Sequence, residues 1–333
     1  MSMKYSVLLS APYMLPTKDR FIKILNHYEI DVLTPEVHER LTEPEILYYA
    51  GNFDGAICGD DPYTDLVIKA CLPRLKVISK WGTGIDSIHK TFAESVGVMV
   101  GNTPNAFTLP VSDSVLGYML VFARRLTWMD TAMKAGEWNK IPGRSLSECT
   151  LGVIGIGNVG KAVIRRARAF GMRLLGNDIR PIEPDFILEQ GLEMVILEKL
   201  LKESDFVSMH CDLNPTSRHL INEKTISWMQ PHSVLINTAR GPVVKESALV
   251  DALLNKKIGG AALDVFEFEP LPQNSPLLKM ENVLLAPHNS NSSPQAWERV
   301  HKNTLLNLLE GLHIPHSDFD EIFKSVSKEV KIG

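Results

Sequence analysis

A glycine-rich segment in the middle of the chain constrains the fold more than any other feature. Residues 151–160 read LGVIGIGNVG, so Gly155, Gly157 and Gly160 form the pattern G-x-G-x-x-G. The pattern follows an apolar strand-like run, opens a helix-like segment and precedes a second strand-like run that ends at Asp178. Asp178 lies 18 residues past Gly160, close to the spacing at which dinucleotide-binding turns carry an acidic residue. The segment therefore predicts a strand–turn–helix–strand unit that binds a dinucleotide.

Each position of the glycine pattern has a physical role in that prediction. Gly155 permits the tight turn from strand to helix, and Gly157 lets the backbone approach a pyrophosphate. Gly160 lets the helix pack closely on the strand. Asn158 and Val159 stand in the first turn of the helix, where backbone N–H groups and the positive end of the helix dipole favour phosphate.

The acidic residue after the second strand indicates which dinucleotide binds. Asp178 is expected to accept hydrogen bonds from the adenosine ribose, and its charge would repel a 2′-phosphate. NAD is therefore favoured over NADP. Arg180 lies two residues further on, and its positive charge could partly offset the repulsion between Asp178 and a 2′-phosphate.

Strand-like and helix-like segments alternate along the whole chain. At roughly 150 residues per domain, 333 residues predict about two domains. The alternation predicts an α/β fold with parallel sheets and crossover helices. The predicted strands are 5–9, 56–58, 77–79, 98–101, 151–154, 173–176, 206–210, 233–237, 261–265 and 283–286. The predicted helices are 18–27, 65–70, 111–135, 161–170, 197–203, 245–255 and 294–309, with the apolar spacing of 111–135 interrupted at Arg124 and Arg125.

Composition excludes several other classes of protein. The net charge of -4, from 39 acidic and 35 basic residues, argues against a nucleic-acid or membrane-surface binder. The longest apolar stretch, 115–123, is far shorter than the roughly 20 residues of a membrane span. The N-terminal residues lack the features of a signal peptide. The cysteines are widely spaced, which suits a reducing cytoplasm and gives no zinc pattern; they are Cys58, Cys71, Cys149 and Cys211.

Two histidine-containing clusters resemble metal-ligand patterns, but no metal site is predicted. Residues 210–212 read His-Cys-Asp on a predicted strand end, where successive side chains point to opposite faces. His313 and His316 could share a helical face, but Pro315 interrupts that helix.

Three polar side chains of the second half follow predicted strands. Arg240 follows the strand of NTARGPVV, Glu269 precedes Pro270, and His288 follows the strand that ends before Pro287. In open parallel sheets, ligands bind beyond the carboxyl ends of the strands. A basic, an acidic and an imidazole group at such ends are therefore candidates for one site.

These motifs together resemble the D-isomer-specific 2-hydroxyacid dehydrogenase family. The resemblance runs from about residue 75 to residue 309 and comprises LKVISKWGTGIDSI, GIGNVG with Asp178, NTARGPVV, ALDVFEFEP and APHNS, in family order. It implies two doubly wound parallel-sheet domains, a flavodoxin-like substrate domain and an inserted Rossmann NAD-binding domain. The substrate (catalytic) domain is expected at 1–103 plus 290–333, and the NAD-binding domain at 104–289.

The resemblance implies a reaction and three catalytic residues. An NAD-dependent oxidoreductase would interconvert a small D-2-hydroxy acid and its 2-oxo acid by hydride transfer. His288 is expected to be the general acid/base, and Glu269 to hydrogen-bond its other ring nitrogen and favour the charged form. Arg240 is expected to clamp the substrate carboxylate and carbonyl, because its planar fork suits a carboxylate.

Further site residues carry over from the same motifs. Asp264 is expected to meet the nicotinamide carboxamide, and His210 to lie at the cofactor wall near the nicotinamide ribose. Thr238 and Ala239 are expected at the cofactor. The backbone N–H groups of one loop are expected to hold the substrate carboxylate; its residues are Gly82, Thr83 and Gly84.

Two departures from the family pattern bear on the substrate. Many members have Val-Ala-Glu early in the long helix, where this chain has Val-Ser-Asp at 111–113. Phosphoglycerate enzymes usually place a phosphate-binding Arg in the loop after the third strand, where this chain has Asp60 and Asp61. Phosphoglycerate is therefore disfavoured without being excluded. Lys80 either assists anion binding or is solvated at a strand end, and Trp81 has no assigned role.

One alternative belongs to another functional class. The family fold also serves NAD(H)-sensing corepressor-like proteins, which keep much of the catalytic set. The chain shows no long disordered extension for recruiting partners, which favours the enzyme. A cytoplasmic homodimer, with a small acid as its substrate, is expected from the family.

Overall fold

Parallel strands and helices alternate throughout the computed structural model, which describes residues 3–327. The strands in that range are β1 Tyr5–Leu9, β2 Ile30–Leu33, β3 Gly55–Cys58, β4 Val77–Lys80, β5 Met99–Gly101, β6 Thr150–Ile154, β7 Arg173–Asn177, β8 Leu192–Met194, β9 Phe206–Met209, β10 Val234–Asn237, β11 Gly260–Leu263 and β12 Val283–Leu285. The helices are α1 Lys18–His27, α2 Glu43–Tyr48, α3 Asp65–Cys71, α4 Lys90–Ser95, α5 Thr108–Arg124, α6 Leu126–Lys134, α7 Asn158–Ala169, α8 Pro184–Gln190, α9 Leu197–Glu203, α10 Glu223–Ile226, α11 Glu246–Leu254, α12 Pro294–Gly311 and α13 Phe319–Ser327.

The chain divides into two compact units. One comprises the residues up to Ala106 together with those from Ser293 onward, and the other is Phe107–Ser292. The sequence placed these boundaries at 103 and 290. The outermost residues of the predicted substrate domain, 1–2 and 328–333, lie outside the described residues.

The first unit is built on a five-stranded parallel sheet in the order β2-β1-β3-β4-β5. That order is the flavodoxin-like one, whose switch point lies between β1 and β3. The central strands β3 and β4 are buried along their whole length. Apolar side chains from α3 and the ends of α2 and α4 pack on one face, including Ile46, Val67, Ile68 and Ala93.

The second unit is built on a seven-stranded parallel sheet in the order β12-β11-β10-β9-β6-β7-β8. The order reverses between β6 and β9, as in doubly wound nucleotide-binding sheets, and places the end of β6 at the switch point. Separate apolar cores cover its faces. One includes residues of α9 and α11, and the other includes residues of α5 and α7. The predicted α/β fold with two parallel-sheet domains is confirmed.

The long helical segment expected over 111–135 differs from the prediction in its bounds. It begins at Thr108 and consists of two helices, α5 and α6, separated at Arg125. Arg125 adopts a left-handed conformation with φ 54°, which ends the hydrogen-bonded ladder of α5. The break falls where the apolar spacing is interrupted.

Between residues 3 and 327, no helix combines the length and apolar character needed to cross a bilayer. Across that same range, no group of three or more His, Cys, Asp or Glu side chains is arranged to hold a metal ion.

Candidate active site

The glycine pattern forms the turn between β6 and α7. Gly155 has φ +88°, and a Cβ there would lie 2.5 Å from the backbone nitrogen of Cys211. A Cβ on Gly160 would lie 2.1 Å from the carbonyl oxygen of Gly155, so helix and turn touch. Gly157, the N-cap of α7, instead faces open space, where a Cβ would meet only Arg180 at 4.0 Å. The turn thus leaves room beside Gly157 at a helix N-terminus, where phosphate binds.

Asp178 follows β7 and is held against this turn. Its Oδ2 accepts a hydrogen bond from the backbone N–H of Ile156 (2.6 Å), and its Oδ1 accepts one from the backbone N–H of Arg180 (2.8 Å). The carboxylate therefore shapes the glycine turn as well as standing beside it.

His210 directly follows the neighbouring strand, β9. Its backbone N–H donates to the carbonyl of Ile154 (2.7 Å), and its Nε2 lies 2.8 Å from Oγ of Ser208. Burial lowers the pKa of His210 to about 3. The ring is therefore neutral at physiological pH, so His210 is an uncharged polar group at this strand end.

Two independent observations indicate that the second unit can bind a dinucleotide. The space beside Gly157 is open because residue 157 has no side chain to fill it. The hydroxyl of Thr238 is buried and has no hydrogen-bond partner within residues 3–327, and such a group calls for an external partner. When bound, NAD or NADH would contact these residues and would supply hydride transfer.

Arg240 stands on a turn that Asn237 organises. Asn237 ends β10 and is buried; its side-chain oxygen accepts from the N–H of Ala239 (3.1 Å), and its Nδ2 donates to the carbonyl of Arg240 (2.9 Å). The backbone of Arg240 is extended, with φ -144°. Asn237 is not among the residues predicted from the sequence, although an Asn that bonds the backbone two residues on is a recognised turn former.

His288 and Glu269 form a hydrogen-bonded pair. Nδ1 of His288 lies 2.9 Å from Oε2 of Glu269, and both side chains are largely buried. The other oxygen of Glu269 accepts from the N–H of Phe266 (2.9 Å). Because Nδ1 is engaged by a carboxylate, Nε2 on the opposite edge of the ring is the atom that a general acid/base would use.

The backbone of His288 is itself unusual, and Asp264 supports it. His288 has φ 50°, in the left-handed region that a non-glycine residue rarely adopts. Its N–H donates to the carbonyl of Asp264 (2.8 Å). The buried carboxylate of Asp264 accepts from the N–H groups of Asn289 (2.8 Å) and Ser290 (3.0 Å). The structure therefore places Asp264 under the His288 turn, a positioning role that the sequence did not reveal.

The sheet order explains how these groups come to share one edge. β9, β10, β11 and β12 are consecutive parallel neighbours, and β9 also pairs with β6. The carboxyl ends of parallel strands lie at one edge. The residues that follow those ends are Gly155, His210, Arg240, Asp264 and His288.

The predicted carboxylate loop, residues 82–84, belongs to the first unit and follows β4. Gly82 has φ +118°, and its carbonyl accepts from the N–H of Thr103 (2.8 Å). The carbonyl of Thr83 accepts from Nδ2 of Asn102 (2.6 Å), so both loop carbonyls are held by residues 102–103. Within residues 3–327, no N–H of the three loop residues donates to another backbone carbonyl.

The fold and the strand-end groups define a dinucleotide-binding α/β protein of two units. The family model for the D-isomer specific 2-hydroxyacid dehydrogenase, NAD binding domain, matches residues 116–290. The chain belongs to the D-isomer-specific 2-hydroxyacid dehydrogenase family. It is an NAD-dependent oxidoreductase of that family, so the predicted family, enzyme class and cofactor are confirmed.

Individual relatives agree with this assignment. The chain is 36% identical over 293 residues to a glyoxylate reductase of Korarchaeum cryptofilum, covering 86% of this chain and 87% of that protein. It is 38% identical over 287 residues to a D-3-phosphoglycerate dehydrogenase of Methanocaldococcus jannaschii, covering 84% of this chain and 53% of that protein. Among solved structures, D-lactate dehydrogenase from Aquifex aeolicus complexed with NAD and lactic acid is similar, with a TM-score of 0.80, 26% identity and 97% of each chain covered.

Proposed function

We propose that the protein reduces a small, unphosphorylated 2-oxo acid to the corresponding 2-hydroxy acid, in the D configuration where the product is chiral, with NADH, and that His288 is the general acid/base. The observation that carries the proposal is the 2.9 Å contact between His288 Nδ1 and Glu269 Oε2. It gives the ring a carboxylate that orients it, and we assign the acid/base role to Nε2. The relatives described above bear enzyme names, which favours an enzyme over an NAD-sensing binding protein.

In the reductive direction one proton and one hydride add to the substrate carbonyl. Protonated His288 donates the Nε2 proton to the carbonyl oxygen, and the hydride that the carbon accepts would come from NADH when it is bound. Glu269 pairs with the charged ring and holds its orientation while the proton is transferred. In the oxidative direction, neutral His288 accepts the hydroxyl proton.

Arg240 is proposed to hold the substrate by its carboxylate and carbonyl oxygen. Its guanidinium is always charged and presents a planar fork of donors. The Asn237 side chain fixes the turn on which Arg240 stands. A separate proposal for the first unit is that the N–H groups of loop 82–84 bind a carboxylate.

The first unit also bears on the side chain of the substrate. Lys80 is buried and forms an ion pair with the half-buried Asp60, with Nζ 3.0 Å from Oδ1. Asp61 is fully buried, and its carboxylate accepts hydrogen bonds from Ser10 and from Gly59 N–H. Because Lys80 is paired and two carboxylates stand nearby, the loop after β3 disfavours a phosphorylated substrate. We therefore propose glyoxylate or hydroxypyruvate ahead of phosphohydroxypyruvate.

The experiment is a panel of 2-oxo acids, followed by the loss of NADH absorbance, with His288→Gln and the matched control His38→Gln. His38 is an exposed loop residue. We expect His288→Gln to lower kcat by about 10² to 10⁴, while His38→Gln retains full activity. Full turnover by His288→Gln with every acid that the wild type reduces would rule out the acid/base role. Failure of the wild type to reduce any acid, despite binding NADH, would rule out the proposed 2-oxo acid substrates.

The orienting carboxylate has a separate test. Glu269→Gln keeps the shape of the side chain but removes its charge, so it no longer stabilises the protonated ring. We expect kcat to fall by about 10² while the Kd for NADH changes little. Glu310→Gln is the control, since Glu310 is exposed on α12. A wild-type kcat for Glu269→Gln would show that the pair has no part in the proton transfer.

A further inference from the structure

Helix α12 is hydrogen-bonded to the end of β4, from which loop 82–84 departs. Ser79 Oγ donates to the carbonyl of Thr304 (2.7 Å), and Trp81 Nε1 donates to Nδ1 of His301 (2.9 Å). Trp81 is the residue directly before the loop. The helix therefore fixes the point at which the chain enters the loop.

The contact between Trp81 and His301 is buried and has a defined direction. The two residues are 3% and 4% exposed. An indole N–H can only donate, so Nδ1 of His301 must accept and carries no proton. Burial also lowers the pKa of His301 to about 4, so the ring is neutral at physiological pH. Without His301 as acceptor, a buried N–H would lose its partner, which is costly.

A second set of contacts from α12 reaches the same loop through residues 102 and 103. Nδ2 of Asn303 donates to Oγ1 of Thr103 (3.1 Å) and to the carbonyl of Asn102 (3.3 Å), and Nδ2 of Asn307 donates to that same carbonyl (3.1 Å). A Cβ on Gly101 would lie only 2.8 Å from Cβ of Asn307, so the helix directly contacts this segment. Residues 102 and 103, which hold two carbonyls of the loop, are thus themselves held by α12.

We propose that His301 and Asn303 are positioning residues that fix loop 82–84 in the orientation in which its N–H groups bind the substrate carboxylate. His301 acts through the indole of Trp81. Asn303 acts through Thr103, whose N–H donates to the carbonyl of Gly82 (2.8 Å). The inference rests on the carboxylate role proposed for the loop.

The hydrogen bonds of the loop explain why it depends on this support. The carbonyls of Gly82 and Thr83 are held by residues 102 and 103, whereas no N–H of the loop donates to another backbone carbonyl within residues 3–327. Donors fixed in advance lose less freedom when they bind a ligand. Releasing the loop from α12 should therefore weaken the binding of every 2-oxo acid by a similar factor, because all of them share the carboxylate.

The experiment compares the wild type with His301→Leu, His301→Gln and Asn303→Leu in the full chain. Leucine removes the acceptor of His301 and the donor of Asn303, whereas glutamine at 301 keeps an oxygen that can accept from the indole. Asn303 is half-buried, so its variant keeps the test open should His301→Leu not fold. Gln295→Ala is the control, since Gln295 is exposed in the first turn of α12. Circular dichroism verifies that each variant is folded.

Two measurements are made on each variant. Steady-state kinetics gives kcat and KM for glyoxylate and for hydroxypyruvate, and calorimetry gives the Kd for NADH. Amide exchange of Thr103, resolved by NMR without any 2-oxo acid, reports the hydrogen bond that holds Gly82. This second measurement does not depend on the proposed reaction.

We expect His301→Leu to raise KM for both acids by about 10-fold and Asn303→Leu by about 3- to 10-fold, with kcat and the Kd for NADH nearly unchanged. Thr103 should exchange about 10-fold faster in both variants. His301→Gln should restore KM to within about threefold of the wild type, and Gln295→Ala should change nothing.

A lower kcat with an unchanged KM is what a merely structural role would give, and it would overturn the proposal. Unchanged exchange of Thr103 in both leucine variants would overturn it as well. So would faster exchange with an unchanged KM, because the loop would then be held by α12 without binding the carboxylate. If the wild type reduced neither acid, the proposed reaction would fail, and the exchange of Thr103 would still decide whether α12 positions the loop.

Discussion

At the scale of the residue, Gly241 shows how closely the catalytic loops are packed. A Cβ on Gly241 would lie 1.8 Å from the carbonyl oxygen of Phe266 and 2.6 Å from the backbone nitrogen of Glu267. Backbone therefore meets backbone where the turn of Arg240 passes the loop that leads to Glu269. Any side chain at 241 must push the two loops apart, and both loops carry proposed catalytic groups.

A pair of glycine substitutions tests this packing. Gly241→Ala should lower the free energy of unfolding by about 3 kcal/mol, at the upper end of overpacking effects, because neither contacting backbone can move aside. It should also lower kcat/KM, since Arg240 and Glu269 are displaced. The measurements are urea unfolding and steady-state kinetics.

Gly117→Ala is the control for that experiment. Gly117 lies in α5, and a Cβ there would meet nothing within 4 Å. Alanine in a helix interior should raise stability by about 0.5–1 kcal/mol and leave kinetics unchanged. If Gly241→Ala behaved like Gly117→Ala, the close contact between the loops would be refuted.

At the scale of the element, Asp205 ties three segments together at the start of β6. One carboxylate oxygen accepts from the N–H of Thr150 (2.7 Å), and the other from Arg144 and His232. Burial raises the pKa of the Asp205 carboxyl, but these hydrogen bonds outweigh burial and hold the pKa below its usual value of 3.8. The ionised form is thus favoured by the fold.

The sign of the pH dependence follows from that lowered pKa. The contribution of Asp205 to stability is fully present above about pH 4 and is lost as the pH falls through the folded-state pKa. Asp205→Asn should lower the free energy of unfolding by about 1.5–3 kcal/mol at pH 7, because charged hydrogen bonds are lost. The variant should also lose less of its remaining stability between pH 5 and pH 3 than the wild type does, measured by urea unfolding across that range.

Asp130→Asn is the matched control. Asp130 makes an exposed ion pair with Lys134 one turn along α6, and such pairs contribute about 0.3–0.5 kcal/mol. An equal effect of Asp205→Asn and Asp130→Asn would mean that the strand anchor adds nothing beyond a surface ion pair.

The elements also show what the sequence could predict. Buried central strands such as β4, β6 and β10 were predicted because they are short apolar runs covered on both faces. The strands β2 and β8 were missed. They lie at sheet edges and include exposed or half-buried residues, so their sequences lack a continuous apolar run.

At the candidate site, too, features encoded by the local sequence were predicted, whereas contacts between residues distant in the sequence were not. The motifs indicated which residues follow strand ends, because that position is encoded locally. The carboxylate of Asp264 bonds N–H groups 25 and 26 residues away, and Gly241 touches Phe266 across two loops. Such contacts depend on the register of β11 and β12 and on loop paths, which no local pattern specifies.

At the scale of the whole molecule, each unit has its own sheet and its own apolar core. The residues proposed to contact NAD, from the glycine turn to Thr238, belong to the second unit. A ligand stabilises the state to which it binds by mass action. Cofactor binding should therefore stabilise β6–β12 against local unfolding more than it stabilises β1–β5.

Hydrogen exchange with and without NADH measures that difference. At a concentration of about 100 times Kd, NADH should stabilise the second unit by about 2.7 kcal/mol, which slows exchange in β6, β9 and β10 by roughly 100-fold where exchange reports unfolding of the unit. Gly157→Val is the matched variant: Gly157 has φ -79°, and the added Cβ meets only Arg180. The variant should thus fold normally but occupy the space needed by the phosphates. Protection of β6 by NADH that persists in Gly157→Val would show that the dinucleotide does not bind over this turn.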